Sequence, residues 1–163
     1  MAGRAELQRE LSARVARLAP VDGTHPSALP YLALTRGSVP ALCMVTVYQP
    51  CLGIVVQGRK RALLNDEIFN YDALNYLVVS VTLPAMGQVV EATPEHPYLS
   101  LRLNLDLDEI ARLVLEIGDR GPSAAADRGQ IYYRMLRGEL GYRLVDLAQS
   151  EGGNHRIVRA IEW

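Results

Sequence analysis

The sequence lacks a surplus of charge of either sign, which bears first on nucleic-acid binding. Its 163 residues carry 17 basic and 18 acidic side chains, for a formal net charge of −1. Domains that bind nucleic acid usually present a basic stripe or patch. This segment alone is therefore not expected to bind DNA specifically. If the whole protein binds DNA, the binding part is expected elsewhere in it.

Long apolar runs are also missing. No run of about 18 apolar residues occurs, so no transmembrane helix is expected, and residues 1–17 lack the apolar core of a signal peptide. A cytoplasmic location is the default expectation. Apolar residues still make up 49% of the chain, which suits one domain with a sizeable core and a helical appendage.

Cysteine and histidine, the usual metal ligands, are scarce. Cys43 and Cys51 lie in neighbouring apolar segments and are expected to be buried thiols rather than a disulfide. His25, His96 and His155 fall in a proline-rich arm, a turn and a helix start, and no two are spaced to meet on one element. No metal site, cofactor or catalytic residue is expected, and no Gly-x-Ser-x-Gly motif occurs.

The pattern that is present begins with a helix and an arm in residues 1–40. Apolar residues recur at helical spacing over residues 4–18, and Pro20 ends this helix because proline cannot continue it. Further prolines and glycines predict an extended arm after the helix, with one short strand at residues 31–35.

Residues 41–105 consist of short apolar segments separated by turn residues. Spacing of roughly 8–12 residues is typical of a closed β sandwich or barrel. One of the turns is predicted at residues 84–87 because of its proline and glycine. The predicted strands span residues 41–48, 51–57, 59–64, 67–71, 76–82, 87–92 and 98–105.

The last of these strands alternates strictly between two kinds of side chain. Leucines occupy its odd positions, and Ser100, Arg102 and Asn104 occupy the even ones. If the leucine face points into the barrel, Arg102 points outward, and in the opposite case Arg102 lines the interior. The pattern leaves both arrangements open.

The hydrophobic period becomes helical in residues 106–150. Asp106 is suited to cap the first helix, with Glu109 as its capping-box partner. Two further helices are predicted in this segment. Residues 151–163 are expected to be a linker followed by the start of another helix, capped by Asn154.

Polar side chains within the apolar strands are candidate ligand anchors, because a buried polar group needs a partner. Arg102 is the first choice, since its guanidinium can hold a carboxylate or phosphate with two hydrogen bonds. Tyr48, Ser80 and Glu91 are secondary candidates. An Arg102–Glu91 ion pair is the competing interpretation. The basic run at residues 59–61 is interpreted as solvated charge at a hairpin tip.

The second helix of the C-terminal segment carries apolar and aromatic residues on more than one face. One face can pack within the chain, and the other then needs a partner, so a homodimer is expected. The competing interpretation buries both faces within one chain. The candidate interface residues are Tyr132, Tyr133, Met135 and Leu136.

Several segments follow one another in an order that matches a known family. They are residues 48–60, 71–73, 76–81, 83–84, 87–92, 97–105, 131–141 and 155–163. Together they resemble the N-terminal regulatory domain of AraC-type transcriptional regulators, over roughly residues 5–163.

The resemblance implies a cupin-like β-barrel (jelly roll) at residues 41–105 and a helical dimerisation segment at 106–150. It implies a non-enzymatic domain that senses a small-molecule effector, dimerises, and controls transcription through a separate helix-turn-helix domain. Family members continue past the position of Trp163, so the chain is expected to be the front part of a longer protein. The alternative is a cupin-type enzyme acting on a small molecule.

Overall fold

The chain divides into two compact units, residues 1–104 with 156–163, and residues 105–155. The computed structural model describes residues 4–64, 66–73, 75–79, 81–116, 131–132 and 158–162. In chain order the elements are α1 (Arg4–Leu18), β1 (Gly23–Pro26), β2 (Leu32–Gly37), β3 (Met44–Tyr48), β4 (Cys51–Gln57), β5 (Arg59–Leu64), β6 (Glu67–Asp72), β7 (Asn75–Val79), β8 (Leu83–Glu91), β9 (Tyr98–Asn104), α2 (Leu107–Glu116) and β10 (Val158–Glu162).

The first unit is built from two antiparallel sheets. The larger sheet has six strands in the order β1-β2-β9-β4-β7-β10, and the smaller has four in the order β3-β8-β5-β6. Every described strand pair is antiparallel. The prediction of a mainly β fold is confirmed.

The two sheets share one apolar core. Cys51, Leu77 and Tyr98 enter it from the six-stranded sheet, and Ala62 and Tyr71 enter it from the four-stranded sheet. None of these five side chains is more than 4% exposed. Burying apolar surface stabilises a fold by about 25 cal/mol per Å², so this shared core is the main force that holds the sheets together.

Helix α1 covers the outer face of the six-stranded sheet. Val15 packs with Val56 and Leu99 in a second apolar cluster, and the Ser12 hydroxyl donates a hydrogen bond to the Val56 carbonyl at 2.9 Å. Strand β4 is therefore apolar on both faces, because one face meets the shared core and the other meets α1. The prediction of a helix over residues 4–18 is confirmed.

The arm between α1 and β3 contributes two strands to the larger sheet. Strand β1 pairs with β2, and β2 pairs with β9 from Leu32 opposite Leu103 to Gly37 opposite Tyr98. The sequence predicts one short strand here. It misses β1 because that strand has four residues and ends at Pro26.

Strand β8 runs through the turn that the sequence predicts at residues 84–87. Pro84 lies opposite Val47 of β3, whereas β5 pairs with β8 only from Met86 onward. Proline cannot donate to a sheet ladder, so it is tolerated where a strand has a single neighbour. The predicted turn is therefore wrong. Residues 84–87 continue the strand, because its Pro84 end pairs with β3 alone and proline is tolerated there.

Strand β3 lies at the edge of the smaller sheet and leaves apolar side chains in solvent. Met44 is 66% and Val45 71% exposed. The predicted strand at residues 41–48 starts later, at Met44. Cys43, expected to be buried, is an exposed free thiol because it lies just before the paired edge strand.

The C-terminal strand β10 corrects a helix prediction. Val158–Glu162 pair with β7, with Val158 opposite Val78 and Glu162 opposite Asn75. The helix predicted from Asn154 is therefore wrong for these residues. Strand β10 supplies hydrogen-bonding partners to one edge of β7, an interaction between distant parts of the chain that a local capping signal does not reveal.

In the second unit, α2 begins at the predicted cap. The Glu109 backbone amide donates to Asp106 Oδ1 at 3.0 Å, which is the usual N-cap hydrogen bond. The Asp106 amide in turn donates to the Tyr132 hydroxyl at 2.8 Å. The helix predicted at residues 140–148 lies outside the described residues.

Candidate functional site

The alternation of β9 decides which face of that strand is inside. Tyr98 belongs to the core between the sheets, whereas Leu99 and Leu101 belong to the cluster under α1. Because side chains alternate along a strand, Ser100 and Arg102 share the inner face with Tyr98. Of the two arrangements that the sequence leaves open, the structure has the one in which Arg102 lies on the cavity-facing side of β9, although its side chain remains exposed to solvent.

Two adjoining cavities lie on this inner side. The inner one has a volume of about 80 Å³, and the outer one about 280 Å³. They share Thr46, Tyr48, Cys51 and Arg102. Two predicted anchors, Tyr48 and Arg102, are therefore brought together, and the pair of cavities is the candidate site.

Lys60 joins this site although the sequence assigned it to a solvated hairpin tip. It lies on β5 two positions before Ala62, which is fully buried in the core, so Lys60 also points inward and lines the inner cavity. Its neighbours Arg59 and Arg61 are exposed. The hairpin interpretation holds for these two arginines and is wrong for Lys60.

The Lys60 ammonium lies beside the aromatic ring of Tyr48, and Gly87 leaves room for both side chains because it has none of its own. Lys60 Nζ lies 5.7 Å from the centroid of the Tyr48 ring, within range of a cation–π interaction. A Cβ at position 87 would lie 3.0 Å from the Tyr48 hydroxyl and 3.8 Å from Lys60 Nζ. The Tyr48 hydroxyl is itself buried and lies beside Tyr71, whose pKa it raises.

Burial dominates the protonation of the groups at the bottom of the site. It raises the pKa of the Cys51 thiol to about 11, against the charges of Arg102 and Lys60, which lower it. The pKa of the Tyr71 phenol is raised well above its ordinary value, first by burial and then by the neighbouring Tyr48 and Tyr98. These groups are neutral at pH 7, so the positive charges of the site are not offset by an anionic thiolate or phenolate.

Of the other predicted anchors, Glu91 is not brought to the site. The Glu91 carboxylate pairs with Arg59 at 3.4 Å on the surface, which also replaces the Arg102–Glu91 pair considered from the sequence. Glu91 lines neither cavity. Ser80 lies outside the described residues.

Of the predicted dimer residues, the structure describes Tyr132 alone. Its side chain is fully buried within the chain, and its hydroxyl accepts the hydrogen bond from Asp106. Tyr133, Met135 and Leu136 lie outside the described residues.

A larger groove of about 670 Å³ lies outside the core, beside α1. Its walls include Arg9 and Ser12 of the helix and Pro94 and Glu95 of the segment before β9. This groove does not receive the inward-facing side chains of β5 and β9. Small-molecule sites usually combine convergent polar side chains with apolar wall residues. We therefore take the pair of cavities that Arg102 lines as the candidate site, although the groove beside α1 is larger.

Metal chemistry receives no support from the part of the chain that the structure describes. Within it, no group of three or more His, Cys, Asp or Glu side chains is placed to hold a metal ion. His25 bonds through Nε2 to the Val21 carbonyl at 2.7 Å, and His96 is an exposed turn residue. His155 lies outside the described residues. None of the helices in the described ranges is long and apolar enough to cross a membrane.

Comparison with known proteins gives one family match. The family model for the N-terminus of AraC-type transcriptional regulators matches residues 28–151, which is more than half of the chain. No curated protein matches the chain.

Two solved structures are similar at low identity. The AraC-like transcriptional activator CuxR is 9% identical, with a TM-score of 0.38, over 94% of this chain and 70% of that one. The EutQ protein of Clostridium difficile is 10% identical, with a TM-score of 0.29, over 55% of this chain and 69% of that one.

Proposed function

This chain belongs to the AraC-type transcriptional regulators as an N-terminal regulatory domain, and we propose that it senses a small-molecule effector in the cavities between its sheets. The observation that carries the proposal is the convergence of Tyr48, Lys60 and Arg102 on one cavity, whose other walls combine hydroxyl groups with apolar side chains. Polar groups that converge on a cavity with apolar wall residues are the usual form of a small-molecule site.

The position of the cavities suggests how binding could be transmitted. Arg102 comes from the six-stranded sheet and Lys60 from the four-stranded sheet. A ligand shifts a conformational equilibrium only by its difference in affinity for the two states. An effector that contacts both sheets favours the arrangement in which both contacts form. We propose that a separate helix-turn-helix domain reads this change at promoter DNA, in the cytoplasm, without catalysis by this domain.

The effector is expected to reveal itself as a stabilising ligand. Screening a metabolite library of acids, sugars, alcohols and amines by thermal shift should give at least one compound that raises the Tm, because a ligand that binds only the folded state stabilises it. That compound should protect Cys51, at the bottom of the cavity, from slow alkylation. A library without any stabilising compound would contradict effector sensing and favour a purely structural domain.

We also propose that the chain forms a homodimer through the helical segment at residues 106–150. The support is family membership together with the apolar sequence around Tyr133, Met135 and Leu136. Light scattering of the chain at high micromolar concentration is expected to give twice the mass of one chain. Replacing Met135 and Leu136 by Glu should return it to the monomer mass, because a buried charge without a partner is unfavourable. A monomer at every concentration would contradict this proposal.

A further inference from the structure

Two positive side chains approach the same cavity from opposite sheets. Arg102 lies on β9 of the larger sheet and Lys60 on β5 of the smaller one, and both line the inner cavity. Arg102 also lines the outer cavity, which Lys60 does not reach. Lys60 thus marks the inner end of the site, and Arg102 marks the junction of the two cavities.

Within the part of the chain that the structure describes, no acidic residue accompanies these cations. The linings of both cavities consist of hydroxyl, amide, thiol, apolar and cationic side chains and contain neither Asp nor Glu. Nearby arginines differ in this respect, since Arg59 pairs with Glu91 and Arg36 with Asp22. Within the described ranges, no ion pair involves Lys60 or Arg102.

The two charges are close enough to act on one group. Both Arg102 and Lys60 lower the pKa of the Cys51 thiol, which is 4% exposed. Two like charges beside the same buried group repel each other, and an anion placed between them would remove that repulsion. The net charge of the chain is −1, so this positive site is a local feature and does not reflect the overall composition.

Resting on the proposed function, we propose that the effector is a small organic anion whose carboxylate or phosphate is bound jointly by Lys60 and Arg102. The Tyr48 hydroxyl, which lines both cavities, donates a third hydrogen bond to the acid group. Arginine and lysine both bind these acids through charge-assisted hydrogen bonds. The rest of the ligand occupies the outer cavity, whose walls include Thr46, Gln49 and Asn104 and whose volume of about 280 Å³ limits it to a small molecule.

Joint binding by the two residues gives the anion a specific structural effect. Neither sheet alone holds both cations, so the acid group links β5 to β9 across the cavity. A neutral molecule of the same shape fills the space without this link. The proposal therefore predicts a preference for acids over their alcohols, and equal dependence on two residues from different sheets.

The test compares acids with matched neutral compounds on the whole chain of residues 1–163. The probes are benzoate, phenyl phosphate and benzyl alcohol, then hexanoate, hexyl phosphate and hexanol. We expect at least one anion to raise the Tm well beyond its alcohol, and the better of carboxylate and phosphate identifies the acid. If no anion exceeds its alcohol, the proposal is overturned. Neutral hits alone from the metabolite library would overturn it while leaving effector sensing intact.

Variants then locate the acid group. Lys60→Met and Arg102→Met should each weaken binding of the best anion at least about tenfold, measured by calorimetry, since each removes a charged hydrogen bond. Lys60→Arg should recover part of the affinity. Arg61→Met is the matched control, because Arg61 is on the same strand but points outward and bonds to Gln88 at 2.8 Å. Its affinity should equal that of the unmodified chain.

Stability without ligand separates binding from a structural role. Removing one of two mutually repelling charges should leave the Tm of Lys60→Met and Arg102→Met unchanged or higher. Anion affinity that survives both substitutions in folded protein would overturn the proposal. A clear fall in the Tm of unliganded Lys60→Met would overturn it too, since the ammonium would then serve the fold.

Discussion

Replacing Gly58 by alanine is expected to destabilise the β unit by at least about 3 kcal/mol, since it combines backbone strain with overpacking. Gly58 joins β4 to β5 with a φ of +79°, a backbone conformation that residues other than glycine rarely adopt. A Cβ there would lie 2.5 Å from the Glu91 carbonyl oxygen and 3.1 Å from Tyr98 Cα. Both contacts are with backbone, so relief requires β8 or β9 to move.

Gly23 provides the matched control for this substitution. It also has a positive φ, +127°, but a Cβ there would meet nothing within 4 Å. Gly23→Ala should therefore show backbone strain alone, about 1 kcal/mol. Urea unfolding of both variants measures the difference, which isolates the contacts at Gly58. Equal losses of unfolding free energy in the two variants would show that the contacts at Glu91 and Tyr98 relax freely.

The strand boundaries of the β unit were predictable only where a short apolar segment lies between turn residues. Strands β4, β5 and β6 occur within one residue of their predicted bounds, because each is a short apolar segment between turn residues. Strand β10 has no comparable signal. Its pairing with β7 joins Val158 to Val78, and pairing between residues so far apart cannot be read from either segment alone.

The leucines of β9 show why the inner face of a strand cannot be chosen by hydrophobicity. Its most apolar face, with Leu99 and Leu101, packs outside the barrel under α1. Its more polar face, with Ser100 and Arg102, lines the cavity. A sheet covered on both sides usually has apolar residues on both faces, but here the inner face of β9 is the more polar one because it borders a cavity.

Lys60 was missed although the sequence contains the signal that places it. In the segment Arg59 to Leu64, the alternation that buries Ala62 also turns Lys60 inward. Reading the three consecutive basic residues as one solvated group ignored this alternation. What the sequence could not supply is the distance across the core, because Lys60 and Arg102 belong to different sheets whose approach depends on the whole fold.

The folded β unit is expected to lose stability as the pH rises from 9 toward 11, with Cys51 as a major cause. The thiol has an ordinary pKa of 9.0 and a folded pKa of about 11. Because the folded state favours the neutral thiol, its stabilising contribution is complete below pH 9 and disappears as the pH approaches 11. The loss at pH 10 is on the order of 1 kcal/mol, since each pKa unit of difference between the folded and unfolded chain contributes about that much.

The two cysteines allow this effect to be separated from general alkaline unfolding. Free energies of unfolding in urea at pH 8 and pH 10 should differ less in Cys51→Ala than in the unmodified chain, by about 1 kcal/mol. Cys43→Ala should retain the full difference, because Cys43 is exposed. Tyr71 and Tyr98, whose pKa values are also raised by burial, add their own loss above pH 10 in all three proteins. If Cys51→Ala keeps the pH dependence of the unmodified chain, the thiol ionises as readily in the folded chain as in the unfolded one. Water would then reach the thiol through the inner cavity of about 80 Å³.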